Sequence, residues 1–143
     1  MTTHDELAEA IEANAAVTVK RVLLAHPDLA NSPDWTPPPL HCAILWNKPE
    51  MVELLLDHGA NIELRDPDRD TPPLRYAIVF GRRDVIPILL ARGANVGQVD
   101  ANGTTALQLA KNAAGGCFAE FEDLPRKEAY AEIVDLLIDL GVQ

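Results

Sequence analysis

The sequence predicts an all-α fold, a solenoid of stacked helix-turn-helix units with short hairpin loops. Three observations carry that expectation. First, segments recur at an offset of 34 residues: Leu40-His41-Cys42-Ala43-Ile44 returns as Leu74-Arg75-Tyr76-Ala77-Ile78, Leu54-Leu55-Leu56 as Ile88-Leu89-Leu90, and Gly59-Ala60-Asn61-Ile62 as Gly93-Ala94-Asn95-Val96. Such a period marks units that bury their apolar faces only by stacking on a neighbour. Second, the chain is 48% hydrophobic but only 5% aromatic, with Ala and Leu dominant, a composition for many small helix contacts. Third, proline-rich turns open the apolar runs and glycines close them at matching positions.

Taken in order, four units cover residues 1–143 as a single domain. The first, about 4–32, has Leu7, Ala10 and Ile11 on one helix and Val19, Val22, Leu23 and Leu24 on a second. It exits through His26-Pro27-Asp28-Leu29-Ala30-Asn31, where Pro27 stands in the place of a later glycine. The second, about 33–65, is opened by Thr36-Pro37-Pro38-Pro39, since proline suits a first helical turn whose N–H has no partner. Asn47-Lys48-Pro49 breaks it, a helix follows over Met51–Asp57, and Gly59 ends that helix as a left-handed cap. The third, about 66–99, repeats the grammar with a turn at Asp66-Pro67-Asp68, an opening at Thr71-Pro72-Pro73, a break at Gly81-Arg82-Arg83, a helix over Val85–Ala91 and a cap at Gly93. The fourth, about 100–143, starts at Asp100-Ala101-Asn102-Gly103 and pairs Leu107–Asn112 with Ala131–Leu140, with an insertion over about 113–127. Glu128, Glu132, Asp135 and Asp139 fall on one face of the final helix, and Glu6, Glu9 and Asn14 on the outer side of the first, so the array reads as finished at both ends.

The stretch Thr36 through Ala43, with its Thr-Pro-(Pro)-Leu-His-x-Ala pattern, and the exit Leu54 through Asn61 resemble ankyrin repeats; Thr104-Thr105-Ala106-Leu107-Gln108-Leu109-Ala110 does so more loosely. The resemblance covers nearly the whole chain. It implies a protein-binding module that recognises partners through hairpin tips and inner helices, with His41 bracing a turn and Cys42 as a small packing residue. Two departures stand out. Arg75 and Gln108 replace the expected histidine, and Arg69 takes the place of a usual turn glycine, which predicts a distorted hairpin before the third unit.

Charge and residue usage exclude other classes. The formal charge is −10 and the pI near 4.7, a field that repels phosphate backbones and disfavours nucleic acid. No apolar run approaches the roughly 20 residues that cross a bilayer, and Met1–Glu6 shows no basic stretch leading into an apolar one, so neither membrane nor secretory signal is expected. Two cysteines make no disulfide framework. The expected setting is the cytoplasm, and the expected state a monomer. His41 and Cys42 invite a nucleophilic reading, but neighbours on a helix point about 100° apart. His4, His26 and His58 are scattered, Ser32 is the only serine, and Gly115-Gly116 lacks the lysine of a phosphate loop. No catalytic group, metal or cofactor is expected.

Binding chemistry is better represented. Trp46 and Phe80 hold the same slot in consecutive repeats, preceded by Leu45 and Val79, and large rings at such positions suit an interface hot spot. Trp35 and Tyr76 extend the strip; the tip residues Asp68, Arg69 and Asp70, and Asn112, complete the expected partner-binding set. Six of the twelve basic residues (Arg65, Arg69, Arg75, Arg82, Arg83 and Arg92) are interleaved with aspartates, and either pair locally or grip carboxylates of a partner. The insertion alternates Phe118, Phe121 and Leu124 with Glu120, Glu122 and Asp123, and either folds back or docks elsewhere. The expected function, on the resemblance, is a small intracellular adaptor or inhibitor that binds another protein through its concave face. The alternative is an acidic, immunity-type neutraliser that occludes the basic active site of a toxic enzyme such as a nuclease.

Overall fold

The computed structural model describes residues 2–142, all of whose regular elements are helical. The chain divides into two compact units, Met1–Pro73 and Leu74–Gln143.

In the first unit, α1 (Thr3–Glu12) starts at Thr2, whose hydroxyl accepts from the Asp5 amide while the Asp5 carboxylate accepts from the Thr2 amide. This reciprocal cap satisfies two amides that would otherwise lack partners. Leu7, Ala10 and Ile11, one helical face, are buried. Asn14, at φ +58°, reverses the chain into α2 (Ala16–Ala25), which buries Val19, Val22 and Leu23. Leu24 does not join them; it is 71% exposed. The glycine-free exit becomes a 3₁₀ turn over Pro27–Asn31, with proline in its first turn. The next helix, α3 (Pro39–Leu45), is short and buried from Pro39 to Ile44. Its partner α4 (Pro49–Asp57) begins two residues before the expected Met51, because Pro49 itself takes the first helical position.

The second unit carries α5 (Pro73–Val79), which begins at the boundary, then α6 (Ile86–Ala91), α7 (Ala106–Ala114) and α8 (Lys127–Asp139). Thr105 and Gln108 cap α7 reciprocally, which gives Gln108 a role in place of the expected histidine. Both helices overrun their sequence-based bounds. α7 continues until Gly115 and Gly116, and α8 starts at Lys127 because Tyr130 belongs to its buried stripe with Ile133 and Leu137. The irregular insertion is therefore 115–126 rather than 113–127.

The repeat is visible in backbone geometry as well as in residue identity. Turns between paired helices place Asn14, Asn47 and Gly81 at φ +58°, +54° and +71°. Helix exits place Gly59, Gly93 and Gly141 at φ +93°, +88° and +84°, each followed by a residue whose amide reaches back to Leu55, Leu89 or Leu137. That left-handed exit is the cap the sequence predicts at Gly59 and Gly93, and a side chain with a Cβ adopts it only at a cost.

Candidate functional site

The His41 and Cys42 side chains turn to different partners. His41 Nε2 donates to the Thr71 carbonyl at 2.8 Å, and Cys42 Sγ donates to the Pro37 carbonyl at 3.3 Å. Burial first, with the Asp66 carboxylate adding to it, pushes the Cys42 thiol up to about 12, so it stays protonated at neutral pH and is a poor nucleophile. Burial also holds the His41 imidazole below its usual value, against the Thr71 bond and Asp66, which pull the other way. A neutral ring with its proton on Nε2 is what the Thr71 carbonyl requires. The pair is structural.

That bond fixes a hairpin. Asp66, itself buried, forms an antiparallel bridge with Thr71, its amide donating to the Thr71 carbonyl at 3.0 Å. Within the loop, the Asp68 amide donates to Asp66 Oδ1 and the Asp70 amide to the Asp66 carbonyl, while Arg65 spans the base to the Asp70 carbonyl at 3.1 Å. Asp68, Arg69 and Asp70 project exposed from the tip. The expected distortion has a definite form. Four residues separate Asp66 from Thr71, against three between Asp100 and Thr104 in the next hairpin, and Asp70 (φ +50°) takes the left-handed position that Gly103 (φ +76°) holds there.

The expected contact residues of the first unit divide between two ends of α3. Trp35 stands at the hairpin end, its ring edge-on to His4 at 5.4 Å. Trp46 caps the other end, its amide donating to the Cys42 carbonyl at 2.9 Å; Leu45 and Trp46 are half-buried. Trp46 stands five residue steps beyond the His41 anchor, about 7.5 Å along the axis. The structure therefore separates Trp46 from the tip residues rather than gathering them.

In the second unit Val79 and Phe80 are half-buried, but Tyr76 is only 2% exposed, with its ring 4.7 Å from that of Phe80. Tyr76 thus supports Phe80 from beneath and has no surface to offer a partner. Its position early in α5, one residue after the hairpin-anchoring Arg75, accounts for that. Asn112 is exposed on α7 and lines an open groove of about 640 Å³ with Asp100, Asn102, Thr104, Leu109 and Phe118.

The arginines mostly serve the protein itself. Arg75 is 9% exposed and donates to the Thr104 carbonyl at 2.7 Å and to Asp100 Oδ2 at 3.2 Å, so it cannot grip a partner's carboxylate. Arg65 pairs with Asp70 at 3.6 Å and Arg83 with Glu132 at 2.5 Å. Arg75 does for the second hairpin what His41 does for the first, a role its alignment with His41 in the repeat could have revealed. Tyr130 carried no comparable signal: its hydroxyl donates to the Val79 carbonyl at 2.5 Å, far away in sequence.

The insertion splits between the two readings. Phe118 folds back, its ring 5.8 Å from that of Tyr130, and Pro125 sits where a Cβ on Gly81 would come within 2.6 Å of it. Phe121 stays 59% exposed.

A search of curated proteins finds no match to this chain. The family profile described as ankyrin repeats (3 copies) matches residues 7–100, the stretch that carries the proline-opened helices, the His41-braced hairpin and the left-handed glycine exits. With helical pairs in place of strands throughout the described residues and that match over most of its length, the chain belongs to the ankyrin-repeat family.

Proposed function

We propose that this chain is a non-enzymatic interaction module of four repeats, an adaptor or inhibitor that binds another protein through hairpin tips and the ends of its first helices. The observation that carries the reading is the exposure of large apolar groups at repeat-equivalent positions. Leu45 and Trp46 in the first unit, and Val79 and Phe80 in the second, are neither fully buried nor replaced by polar residues. Half-buried rings held by a rigid base lose little freedom on binding, which is why such residues dominate interface energies. Trp35, Asp68, Arg69, Asp70 and Asn112 supply the polar and aromatic remainder of the contact set; Tyr76 acts through Phe80.

No helix of the described residues is long and apolar enough to cross a membrane, and Cys42 and Cys117 are free thiols, the second exposed. Free exposed thiols persist in reducing compartments, which supports a cytoplasmic location; the state proposed with it is a monomer.

The test is affinity capture from the host lysate with the wild type, Trp46→Ala and Phe80→Ala as parallel baits. Proteins retained by the wild type and lost from both variants are expected; identical sets from all three baits would overturn the reading. Either truncation is expected to weaken a bound partner by about 2 kcal/mol, or about thirtyfold in Kd.

A further inference from the structure

The end of the second unit carries a surface that the hairpin-and-turn reading does not use. Phe118, Phe121, Leu124 and Pro125 wall an open cleft of about 510 Å³ beside the start of α8, with Glu122 and Glu128 on its rim. From Glu128 the exposed face of α8 runs on through Glu132, Asp135 and Asp139, about 17 Å along the axis. Ile138, on the flank of that face, is 51% exposed. From residue 116 onward the chain holds seven acidic residues against two basic ones, Arg126 and Lys127, both beside the cleft.

We propose that this cleft and helix face dock a basic amphipathic helix of a partner protein, with one large apolar side chain packed against the edge-to-face pair of Phe118 and Phe121, whose ring centroids lie 6.3 Å apart, and lysines or arginines laid along the acidic row. Two observations fix the occupant. A polar cap would serve solubility without an exposed phenylalanine at its edge, so the cleft calls for an apolar anchor. The row already holds a guanidinium, since Arg83 Nη1 lies 2.5 Å from Glu132 Oε2, which shows the charge and geometry the face accepts. Acids four, three and four residues apart match basic residues at the same helical spacing on a partner lying alongside. The surface does not involve Trp46 or Phe80, so it stands or falls independently of the proposed contact strip.

The probe is a fluorescent helical peptide of about 16 residues, long enough to span the row, built from alanine with lysines spaced four, three and four residues apart and one tryptophan. Two controls replace the lysines by glutamate or the tryptophan by alanine. Fluorescence anisotropy is expected to show binding of the lysine–tryptophan peptide only. Phe121→Ala is expected to weaken it about tenfold by removing an aromatic wall. The double variant Glu128→Gln/Asp135→Asn is expected to weaken it about fivefold at low salt, with less effect at high salt. These side chains are exposed, so the variants keep their thermal transitions. Equal binding of the tryptophan-free peptide, no binding of the probe, or indifference to Phe121→Ala would each overturn the proposal. So would an equal loss in Glu9→Gln/Glu12→Gln on α1, which would make net charge responsible. Dimerisation of the protein that Phe121→Ala abolishes would also overturn it, because the occupant would then be a second copy.

Discussion

In the hairpin Asp66–Thr71 a neutral, fully buried imidazole donates one bond to the Thr71 carbonyl; in the hairpin Asp100–Thr104 a guanidinium donates to the Thr104 carbonyl and to the Asp100 carboxylate together. The carbonyl is equivalent in the two cases. What differs is the reach and charge of the donor, and with them the loop. The first loop is one residue longer, and its acidic base residue Asp66 is buried, whereas Asp100 stays partly exposed at 39% of its side chain. An arginine is always charged and cannot be deprotonated to suit burial, so it needs an acid and remaining water nearby. A histidine becomes neutral on burial and needs neither. The same architectural bond is thus made by two chemistries, and each fixes how its own hairpin responds to mutation and to pH.

Removing the donors should separate the hairpins most clearly. Arg75→Ala deletes two charge-assisted bonds and a long buried stem, and is expected to cost about 3 kcal/mol; His41→Ala deletes one neutral bond and a ring, and is expected to cost about 2 kcal/mol. Urea denaturation of the two variants checks this, and equal midpoints would remove the distinction. Exchange of the donors should be asymmetric as well. Arg75→His keeps a donor but leaves Asp100 unpaired, a loss of about 1 kcal/mol. His41→Arg places a charge where no surface is exposed, and is expected to be the worse of the two.

The pH response sharpens the contrast. His41 has a folded pKa below its usual 6.5, so below that pH the unfolded chain takes up a proton that the folded one refuses. Stability is full above about pH 6.5 and declines as the pH falls through the range down to the folded value. The amide of Thr104 first, then that of Asn102 and the Arg75 guanidinium, hold the Asp100 carboxyl below 3.8. Its contribution is present above that value and is lost only as the pH falls through the still lower folded one. Chemical denaturation across pH 3 to 8 is therefore expected to give a slope below about pH 6.5 that His41→Asn abolishes and Asp100→Asn leaves in place.

The smallest expected effect lies at the tips. Gly103→Ala forces a Cβ into the left-handed region and should cost about 1 kcal/mol. Asp70→Gly relieves a strained residue but frees the unfolded chain, for a net change within about 0.5 kcal/mol. Thermal unfolding of the pair would show whether the longer loop depends on its left-handed residue as strongly as the shorter one does.

Much of this was legible in the residues. The helix opening at Pro39, the reversals at Asn47 and Gly81, and the exits at Gly59 and Gly93 follow from local backbone preferences, which act within a few residues and so are written locally. The motifs around them carry the resemblance to ankyrin repeats, and the family profile over residues 7–100 shows the family. The contact set was less legible, because exposure is not a local property. Tyr76 on α5 and Phe80 in the turn just after it are four residues apart, yet the ring of one is buried under that of the other. Arg75 looked like a grip for a partner until Thr104 and Asp100 were seen to occupy it.

By itself the sequence determined the period, the helices and the places where the chain must turn, since each depends on φ preferences and on a hydrophobic pattern that any short window contains. Tertiary structure alone decided which of the arginines face inward, that Tyr130 reaches the Val79 carbonyl, and that Phe118 is half-buried against Tyr130 while Phe121 is exposed. These are contacts between residues tens of positions apart, and only packing selects among the partners that a polar or aromatic side chain could take.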